Sequence, residues 1–297
     1  MKIAFVSGGN LITCGGIIVP FEYVSRLKQQ GYEAEIYSDE RNPMLENFYH
    51  CQSRPCSDLS TFTDSDVIIL IRWESAEWAK QFKGKKFQFV QGNDLALLGE
   101  SEQEKCKVAR NDPIYSLLGV SQYVLDTWNR GKVIPNGVNE RFFNLYGRTR
   151  DIEFLIEGNN EPNKNIMESI DLAKSLRVGN QKIVWLGRET HAIEGVECIT
   201  NPPQEEIPGI YQRSKKFIKL SKTEGFCLPI LEAMASGCVV YTRPMGGNDF
   251  CIYEGSGQNC YNIDRPFNPA PNMIKNAKQT AEEFSWDRSV KCLLDAL

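Results

Sequence analysis

Residues 215–237 have the sequence KKFIKLSKTEGFCLPILEAMASG, and the fold prediction rests on this stretch. Its first part, KKFIKLS, is apolar and β-prone, which predicts a buried strand. Its last part, PILEAMASG, predicts a helix that begins at Pro229, because proline favours the first helical position. The residues between them, KTEGFCL, are therefore the loop at the carboxyl end of a strand. Ligands bind at that place in open α/β sheets.

The chemistry of this loop suits a phosphorylated ligand. A helix N-terminus exposes unpaired N–H groups and the positive end of the helix dipole, and Gly225 allows a close backbone approach. Glu232, which we place in the first helical turn, can accept hydrogen bonds from the diol of a ribose. Glu224, on the loop, can face the rest of a sugar nucleotide. The alternative interpretation is structural: Glu232 caps the helix and Glu224 is solvated.

The composition is that of an ordinary globular protein. The 297 residues are 41% hydrophobic and 24% charged, and the net charge is −4. This charge gives no overall attraction to nucleic acid or to an anionic membrane. No apolar run reaches the roughly 18 residues that span a bilayer. We interpret the N-terminal MKIAFVSGG as a strand and not as a signal peptide, because it lacks a long apolar region.

The cysteines and histidines show no metal-site pattern. Ten cysteines are scattered without a CxxC pair, and the two histidines, His50 and His191, have no ligand-like spacing. We interpret the cysteines as reduced, buried thiols of a cytoplasmic protein.

Short apolar runs alternate with amphipathic helices in the first half of the chain. The first helix carries Phe21, Val24 and Leu27 on one face, with Pro20 in its first turn and Gly31 as its cap. This alternation predicts a parallel sheet covered on both faces. The predicted strands are KIAFVS (2–7), YEAEIY (32–37), DVIILI (66–71), KFQFVQ (86–91) and IYSLLGV (114–120), and a helix follows Ser121.

A second α/β series begins near residue 151, after the polar segment NLYGRTR (144–150), which we interpret as a linker. A helix is predicted over 165–177 and a polar helical stretch near 203–213. Residues 271–297 are also predicted to be helical, with a break near FSWD. The predicted strands are DIEFLI (151–156), KIVWLG (182–187), VECIT (196–200), KKFIKL (215–220) and CVVYT (238–242).

Several segments together resemble a known enzyme family. EGFCLPILE, followed by AMASGCVV and GGNDF, is similar to the two-glutamate motif of the retaining glycosyltransferases of family 4, which belong to glycosyl transferases group 1. LITCGGI (11–17), VIPNGVNERFF (133–143) and FSWDRSVKCLL (284–294) resemble other segments of that family, in the same order.

The resemblance implies an α/β protein with the GT-B architecture, in which two Rossmann-like domains have parallel sheets that face each other across a cleft. The expected boundaries are an acceptor domain over 1–145, a nucleotide-sugar domain over 146–280, and a C-terminal helix over 281–297 that returns to the first domain.

The resemblance also implies roles for residues of the opening stretch. Glu232 would bind the ribose, and Glu224 would face the transferred sugar near its reactive carbon, without being assigned as a nucleophile. The backbone amides that would contact the sugar and diphosphate are those of Gly225, Phe226, Cys227 and Leu228. The anomeric configuration would be retained. No metal or other cofactor is expected, because no Asp-x-Asp pair follows a predicted strand.

One departure from the family concerns positive charge. The family has a Gly-Arg pair after the first strand of the second domain and a lysine five residues after the arginine. Here Gly158 is present, Asn159 replaces the arginine, and Lys164 stands at the lysine position. A cation beside a departing diphosphate is a large catalytic contribution, and Arg188 or Arg243 could replace the missing one. The alternative for these basic residues is a solvated side chain.

A second departure is the absence of the family's first-domain histidine. The comparable loop, VQGNDLALLG, offers Asn93 and Asp94 instead. Asp94 could accept a proton from the acceptor or could cap a helix. Gly15 and Gly16 could close a loop over the phosphates or form a plain turn.

Two further segments are weaker candidates. GGNDF (246–250) could add backbone amides or be only a turn. RWESAEW (72–78), with Trp73, Glu74 and Trp78, could contact an acceptor sugar, although packing is the better explanation for its tryptophans.

The sequence therefore predicts a metal-independent, retaining glycosyltransferase. It would use a nucleotide-sugar donor and a carbohydrate or glycoconjugate acceptor, with a nucleic-acid acceptor left open. We expect it in the cytoplasm, soluble or peripheral at a membrane. The alternatives are a nucleotide-sugar epimerase or hydrolase on the same fold, and a non-catalytic nucleotide-sugar-binding subunit. A nicotinamide dehydrogenase is disfavoured because GGNLITCGG lacks the GxGxxG order.

Overall fold

A computed structural model describes residues 1–7, 15–56, 64–143, 149–266 and 270–297. Most of the glycine-rich segment GGNLITCGG and of the expected linker NLYGRTR, residues 8–14 and 144–148, lies outside the described residues. The chain divides into two units. The first comprises Met1–Asn136 with Asp287–Leu297, and the second comprises Gly137–Trp286.

The apolar runs of the first unit form a parallel sheet, with the strand order β3-β2-β1-β4-β5-β6-β7 in the described residues. Its strands are β1 (Lys2–Ser7), β2 (Glu33–Ser38), β3 (Ser53–Pro55), β4 (Val67–Leu70), β5 (Lys85–Val90), β6 (Ser116–Gly119) and β7 (Lys132–Val133). Its helices are α1 (Gly15–Gln29), α2 (Pro43–Tyr49), α3 (Ala76–Ala79), α4 (Asp94–Leu97), α5 (Glu100–Asn111) and α6 (Gln122–Asp126), with a 3₁₀ turn at Trp73–Ser75.

Helix α1 differs from its prediction at Pro20. The predicted face is correct, since Phe21, Val24 and Leu27 are all fully buried. Pro20, however, lies inside the helix and not in its first turn. Proline cannot donate the helical hydrogen bond to the carbonyl four residues earlier. That carbonyl belongs to Gly16, and it accepts a hydrogen bond from Gln91 Nε2 at 2.8 Å. The side chain of Gln91, directly after β5, thus satisfies the carbonyl acceptor that the proline leaves without a helical partner.

The second unit has the same design. Its parallel sheet has the order β10-β9-β8-β11-β12-β13 in the described residues. The strands are β8 (Ile152–Glu157), β9 (Lys182–Gly187), β10 (Glu197–Thr200), β11 (Ser214–Ile218), β12 (Val239–Thr242) and β13 (Tyr261–Asn262). The helices are α7 (Ile166–Leu176), α8 (Ile207–Gln212), α9 (Leu228–Ala235) and α10 (Met273–Glu283), after a 3₁₀ turn at Glu140–Phe143.

The core of the second unit lies between its sheet and its helices. Phe154, Ile170, Trp185 and Ile218 are fully buried in one apolar cluster. The last helix, α11 (Trp286–Leu294), follows the predicted break after α10, and from Asp287 onward it belongs to the first unit.

The chain order reverses in the middle of the second sheet. Strands β8 and β11 are adjacent, with Ile156 paired to Ile218, although four elements of the chain separate them. The loops that leave the carboxyl ends of these strands therefore start side by side. Such a switch point is where open α/β sheets bind ligands. Both loops contain residues that the sequence singled out.

Within the described ranges, none of the helices has the length and apolar character that crossing a membrane would require.

Candidate active site

An ion pair joins the two loops at the switch point of the second sheet. Lys164 lies just before α7, and Glu224 lies on the loop between β11 and α9. The Nζ atom of Lys164 is 2.9 and 3.2 Å from the two carboxylate oxygens of Glu224. The two side chains are 25% and 13% exposed, so the pair is partly open to solvent. Two residues that the sequence assigned to the donor site are thus in direct contact.

Asn163 fastens these two loops together. Its Nδ2 donates to the carbonyl of Thr223 at 2.9 Å, and its Oδ1 accepts from the Thr223 N–H at 3.2 Å. Its own carbonyl accepts from the Lys222 N–H at 2.8 Å. Because one asparagine makes three hydrogen bonds to two consecutive residues, it holds the loop that carries Lys164 against the loop that carries Glu224.

A second lysine lies beneath this pair, and the sequence analysis missed it. Lys219, directly after β11, is only 2% exposed. Its Nζ is 2.7 Å from Glu157 Oε2, 2.9 Å from the Glu157 carbonyl and 3.7 Å from Glu224 Oε1. The sequence feature that could have identified Lys219 is its position between Ile218 and Leu220, at the end of an apolar strand. A lysine there is buried and needs an anionic partner.

These four charged side chains alternate in sign, and the pKa values of two of them, Glu224 and Lys219, are shifted by their neighbours. Burial opposes ionisation of Glu224, but Lys219 and Lys164 outweigh it and hold the pKa of its carboxyl below the ordinary value. Burial likewise opposes the charge on Lys219, yet Glu157 and Glu224 raise the pKa of its ammonium group. The cluster therefore holds two cations and two anions.

The surroundings of the Cys227 thiol, at the start of α9, favour its neutral form. Burial, followed by the nearby Glu224, raises the pKa of Cys227 well above that of a free thiol. Cys227 therefore remains a neutral thiol and does not act as a nucleophile at neutral pH.

The GGNDF loop supports the backbone of Glu224. The Glu224 N–H donates to the Met245 carbonyl at 3.0 Å, and the Gly247 N–H donates to the Glu224 carbonyl at 2.9 Å. A Cβ at position 247 would lie 2.1 Å from the carbonyl oxygen of Gly225. Only glycine permits this approach.

Helix α9 begins one residue earlier than predicted, and this corrects the position of Glu232. Cys227 is the N-cap with a left-handed backbone (φ 57°), Leu228 is the first helical residue, and Pro229 is the second. The prediction placed Pro229 first because proline favours the first helical position, whereas here it occupies the second. Glu232 is consequently the fifth helical residue and lies outside the first turn. It cannot cap the helix, and its half-buried carboxylate lies near the buried Tyr211.

At the start of α9 the groups that could bind an anion are backbone N–H groups and not side chains. The Cys227 side chain makes no capping hydrogen bond. The Phe226 ring turns inward and packs against Phe250 and Phe284, at centroid distances of 5.6 and 5.7 Å. The first N–H groups of a helix have no partner within it, so this terminus can bind an anion.

Asn159 bonds to the residue that could replace the missing arginine. Its Oδ1 accepts from the backbone N–H of Arg188 at 2.9 Å. The neighbouring Gly158 uses its N–H on the Leu186 carbonyl at 3.0 Å, and its own carbonyl accepts from Trp185 Nε1 at 2.8 Å. Arg188 therefore lies beside Asn159 at the end of β9. Its partly exposed side chain has an ion-pair contact of 3.6 Å with the exposed Glu189.

The charge of Arg243 is already engaged. Its Nη2 forms ion pairs with Glu168 at the start of α7 and, at 3.6 Å, with Asp264. Arg243 is therefore a weaker replacement for the missing cation than Arg188.

The candidates from the first unit have structural partners. Asn93, and not Asp94, is the N-cap of α4, since its Oδ1 accepts from the Ala96 N–H at 3.2 Å. Asp94 accepts from Arg110 Nη2 at 2.8 Å and from its Nε at 3.0 Å, and Arg110 is only 2% exposed. The carboxylate of Asp94 is thus the counter-ion of a buried guanidinium.

Other first-unit candidates lie at helix ends or in packed positions. Gly15 and Gly16 open helix α1, and His50 ends α2. Trp73 is buried and Trp78 packs against the core of the unit, which supports packing over ligand contact, while Glu74 is exposed.

In the part of the chain that the structure describes, His, Cys, Asp and Glu side chains form no group of three or more that could hold a metal ion. The nine described cysteines are free, and seven of them are buried.

Comparison with known proteins identifies the second unit. Residues 139–266 match the family model described as glycosyl transferases group 1. No curated protein matches the sequence of the chain.

Solved structures match both units. Alr3699/HepE of Anabaena, in complex with UDP-glucose, matches with a TM-score of 0.79 and 13% identity over 100% of both chains. Sucrose-phosphate synthase of Thermosynechococcus elongatus matches with a TM-score of 0.75 and 14% identity, over 99% of this chain and 98% of that one. WaaG, a glycosyltransferase involved in lipopolysaccharide biosynthesis, matches with a TM-score of 0.63 and 11% identity, over 99% of this chain and 98% of that one.

At these identities the structural likeness establishes the fold, and the family model adds the class of enzyme. The predicted α/β class with two parallel sheets is confirmed. Residues 139–266 form a glycosyl transferases group 1 domain, so the protein contains a glycosyltransferase domain, and the chain has the GT-B fold.

Proposed function

We propose that the chain transfers a sugar from a nucleotide-sugar donor to a hydroxyl group of a saccharide or glycoconjugate, with retention of the anomeric configuration. The observation that carries the proposal is the Lys164–Glu224 ion pair at the switch point. Glu224 lies three residues before Cys227, the N-cap of α9. A cation, a carboxylate and the positive end of a helix dipole are the groups that a sugar diphosphate requires. The UDP-glucose bound to Alr3699/HepE supports a donor of this class.

Each group has a proposed role in the transfer. When the bond between the anomeric carbon and the diphosphate oxygen breaks, negative charge develops on the diphosphate. Lys164 and the backbone N–H groups of Gly225–Leu228 stabilise this charge. Glu224 faces the transferred sugar as a carboxylate, and Glu232 accepts hydrogen bonds from the ribose diol. Glu232 is the fifth residue of α9, which excludes a capping role, and its carboxylate is only half-buried, which supports a binding role.

Arg188 supplies the charge that Asn159 lacks. The hydrogen bond from the Arg188 N–H to Asn159 supports this assignment, since it holds the two residues side by side. An enzyme with Lys164 and Arg188 at the diphosphate needs no divalent cation for this charge. We therefore propose a metal-independent reaction.

The roles in the first unit stay predictions. For Gly15 and Gly16 the prediction is a role at the donor phosphates. Asp94 is the predicted proton acceptor, although its ion pair with Arg110 argues for a structural contribution as well. The cytoplasmic location, the nature of the acceptor and the domain boundaries at 145 and 280 are further predictions.

The test is a screen of purified protein against a panel of nucleotide sugars, with and without saccharide acceptors, in buffer containing a chelator. We expect one donor to release its nucleotide slowly alone and faster with an acceptor. Release that no acceptor accelerates would favour an epimerase or hydrolase. Binding of a donor without any turnover would favour the non-catalytic subunit. Loss of all activity in chelator, restored by a divalent cation, would contradict the assignment of charge to Lys164 and Arg188.

A further inference from the structure

Lys219 is placed where it cannot touch a ligand. Its side chain is 2% exposed, whereas the neighbouring Lys164 and Glu224 are 25% and 13% exposed. A fully buried ammonium group loses its hydration, and this loss must be offset by partners. Any effect of Lys219 on the reaction therefore passes through the groups it contacts, Glu157 and Glu224.

The backbone around Lys219 is shaped to accommodate its amine. Gly158 has a φ of +142°, and a Cβ at that position would lie 3.4 Å from Lys219 Nζ and 3.1 Å from Ile166. The carbonyl of Glu157 accepts from the same Nζ. The amine is thus enclosed by the end of β8 as well as by its ionic partners.

We propose that Lys219 is a positioning residue that keeps Glu224 ionised and in place when Lys164 leaves it to bind the diphosphate of a donor. In the structure Lys164 is bound to Glu224 and is not free for a ligand. The proposal deepens the function above and rests on it, because it requires a diphosphate that attracts Lys164.

The charges around Glu224 explain why a second lysine is needed. The groups that face it are Lys164 before α7, Lys219 and Ser221 after β11, and Cys227 at the start of α9. Glu157, at the end of β8, faces Lys219 from the other side. Cys227 and Ser221 carry no charge at neutral pH. Once Lys164 turns to the diphosphate, Lys219 at 3.7 Å is the cation among these groups that still balances Glu224.

Removal of this cation has a definite consequence. Without Lys219, the partly buried Glu224 depends on Lys164 alone, and Lys164 is held more tightly to it. A diphosphate must then compete with that stronger pair, so its affinity falls. Removal of the Glu224 charge as well frees Lys164 again. If Lys219 contributed only to packing, removal of the Glu224 charge would not restore the diphosphate affinity.

The experiment measures binding of inorganic pyrophosphate by calorimetry at neutral pH. The proteins are the parent, Lys219→Met, Glu224→Gln and the double variant, with Lys219→Gln as a second version that retains an uncharged N–H donor. Lys216→Met is the matched control, because Lys216 is on the same strand and pairs with Glu153 at 2.8 Å. Circular dichroism verifies the fold of each variant.

We expect Lys219→Met and Lys219→Gln to weaken pyrophosphate binding about tenfold, which corresponds to about 1.4 kcal/mol. The double variant should bind as well as Glu224→Gln alone, and Lys216→Met as well as the parent. Parent-like affinity in both Lys219 variants would overturn the proposal. An equal loss in single and double variants would also overturn it, because the loss would then be structural.

A second readout does not depend on a diphosphate. In protein labelled with ¹³C at glutamate carboxyls, the Glu224 signal is identified by its absence from Glu224→Gln. Its titration midpoint should lie at least about one pH unit higher in Lys219→Gln than in the parent, since a nearby cation of this kind lowers a carboxyl pKa by about that much. An unchanged midpoint overturns the role of Lys219. If the parent fails to bind pyrophosphate, the proposed donor site is wrong, while this titration still tests Lys219.

Discussion

Replacement of Lys164 by alanine removes the cation that the account places at the leaving diphosphate. The loss of one preorganised charge partner in an active site costs about 2–4 kcal/mol of transition-state stabilisation, which is roughly 30- to 1,000-fold in kcat/KM. Lys164 is 25% exposed, so solvent screens part of its charge, and the lower half of this range applies. The fold should survive, because Glu224 keeps Lys219 at 3.7 Å.

The assay follows nucleotide release from the donor that the screen identifies, with acceptor at saturation. The control variant is Lys222→Ala, which removes an exposed lysine of the Glu224 loop and leaves its backbone hydrogen bond to Asn163 intact. We expect Lys222→Ala to resemble the parent in kcat/KM. A Lys164→Ala enzyme that is as fast as the parent would refute the reasoning, as would equal losses in both variants, which would indicate a general charge effect.

Three further predictions concern other parts of the account. Glu232→Ala should weaken binding of the free nucleotide by about 1.5–3 kcal/mol, while Glu224→Ala should lower turnover more than affinity; calorimetric titration and steady-state rates separate the two, and unchanged nucleotide affinity in Glu232→Ala would exclude its ribose role. Asp94→Asn should lower the free energy of unfolding by about 3 kcal/mol in urea, because the buried Arg110 loses its counter-ion; an unchanged unfolding midpoint together with lost turnover would instead favour the proton-acceptor role. Turnover should persist in a chelator at concentrations that strip adventitious divalent cations, and a rate that falls to background would show that a metal is required.

Much of the fold could be predicted because parallel strands buried on both faces are short apolar runs. KIAFVS, DVIILI and KIVWLG have this pattern and form β1, β4 and β9, with ends that differ from the prediction by one residue at most. Helices α2 and α5 were not predicted. In α5 only Cys106 and Arg110 are buried, so its sequence lacks the apolar face on which such predictions depend.

The candidate site was predictable where chemistry and loop position coincide. Lys164, selected from the family resemblance, and Glu224, selected from its loop position and that resemblance, are in contact. Lys219 and Glu157 were missed because their importance depends on a strand pairing, between β8 and β11, that brings together residues about 60 positions apart. The N-terminal end of α9 was misplaced by one residue, because Leu228 precedes Pro229 in the helix and Cys227 has a left-handed backbone that residues other than glycine rarely adopt.

The central claim is that a sugar leaves a nucleotide diphosphate at this site and is transferred with its configuration retained. Proton NMR of the anomeric region tests it most directly, on early time points of a reaction with an α-linked nucleotide sugar and its acceptor, in parent and in Lys164→Ala protein. The account predicts a new α-anomeric signal that grows as the donor signal falls in the parent, and at least about 30-fold slower growth in the variant. A β-linked first product, or no consumption of any nucleotide sugar in the panel, would contradict it.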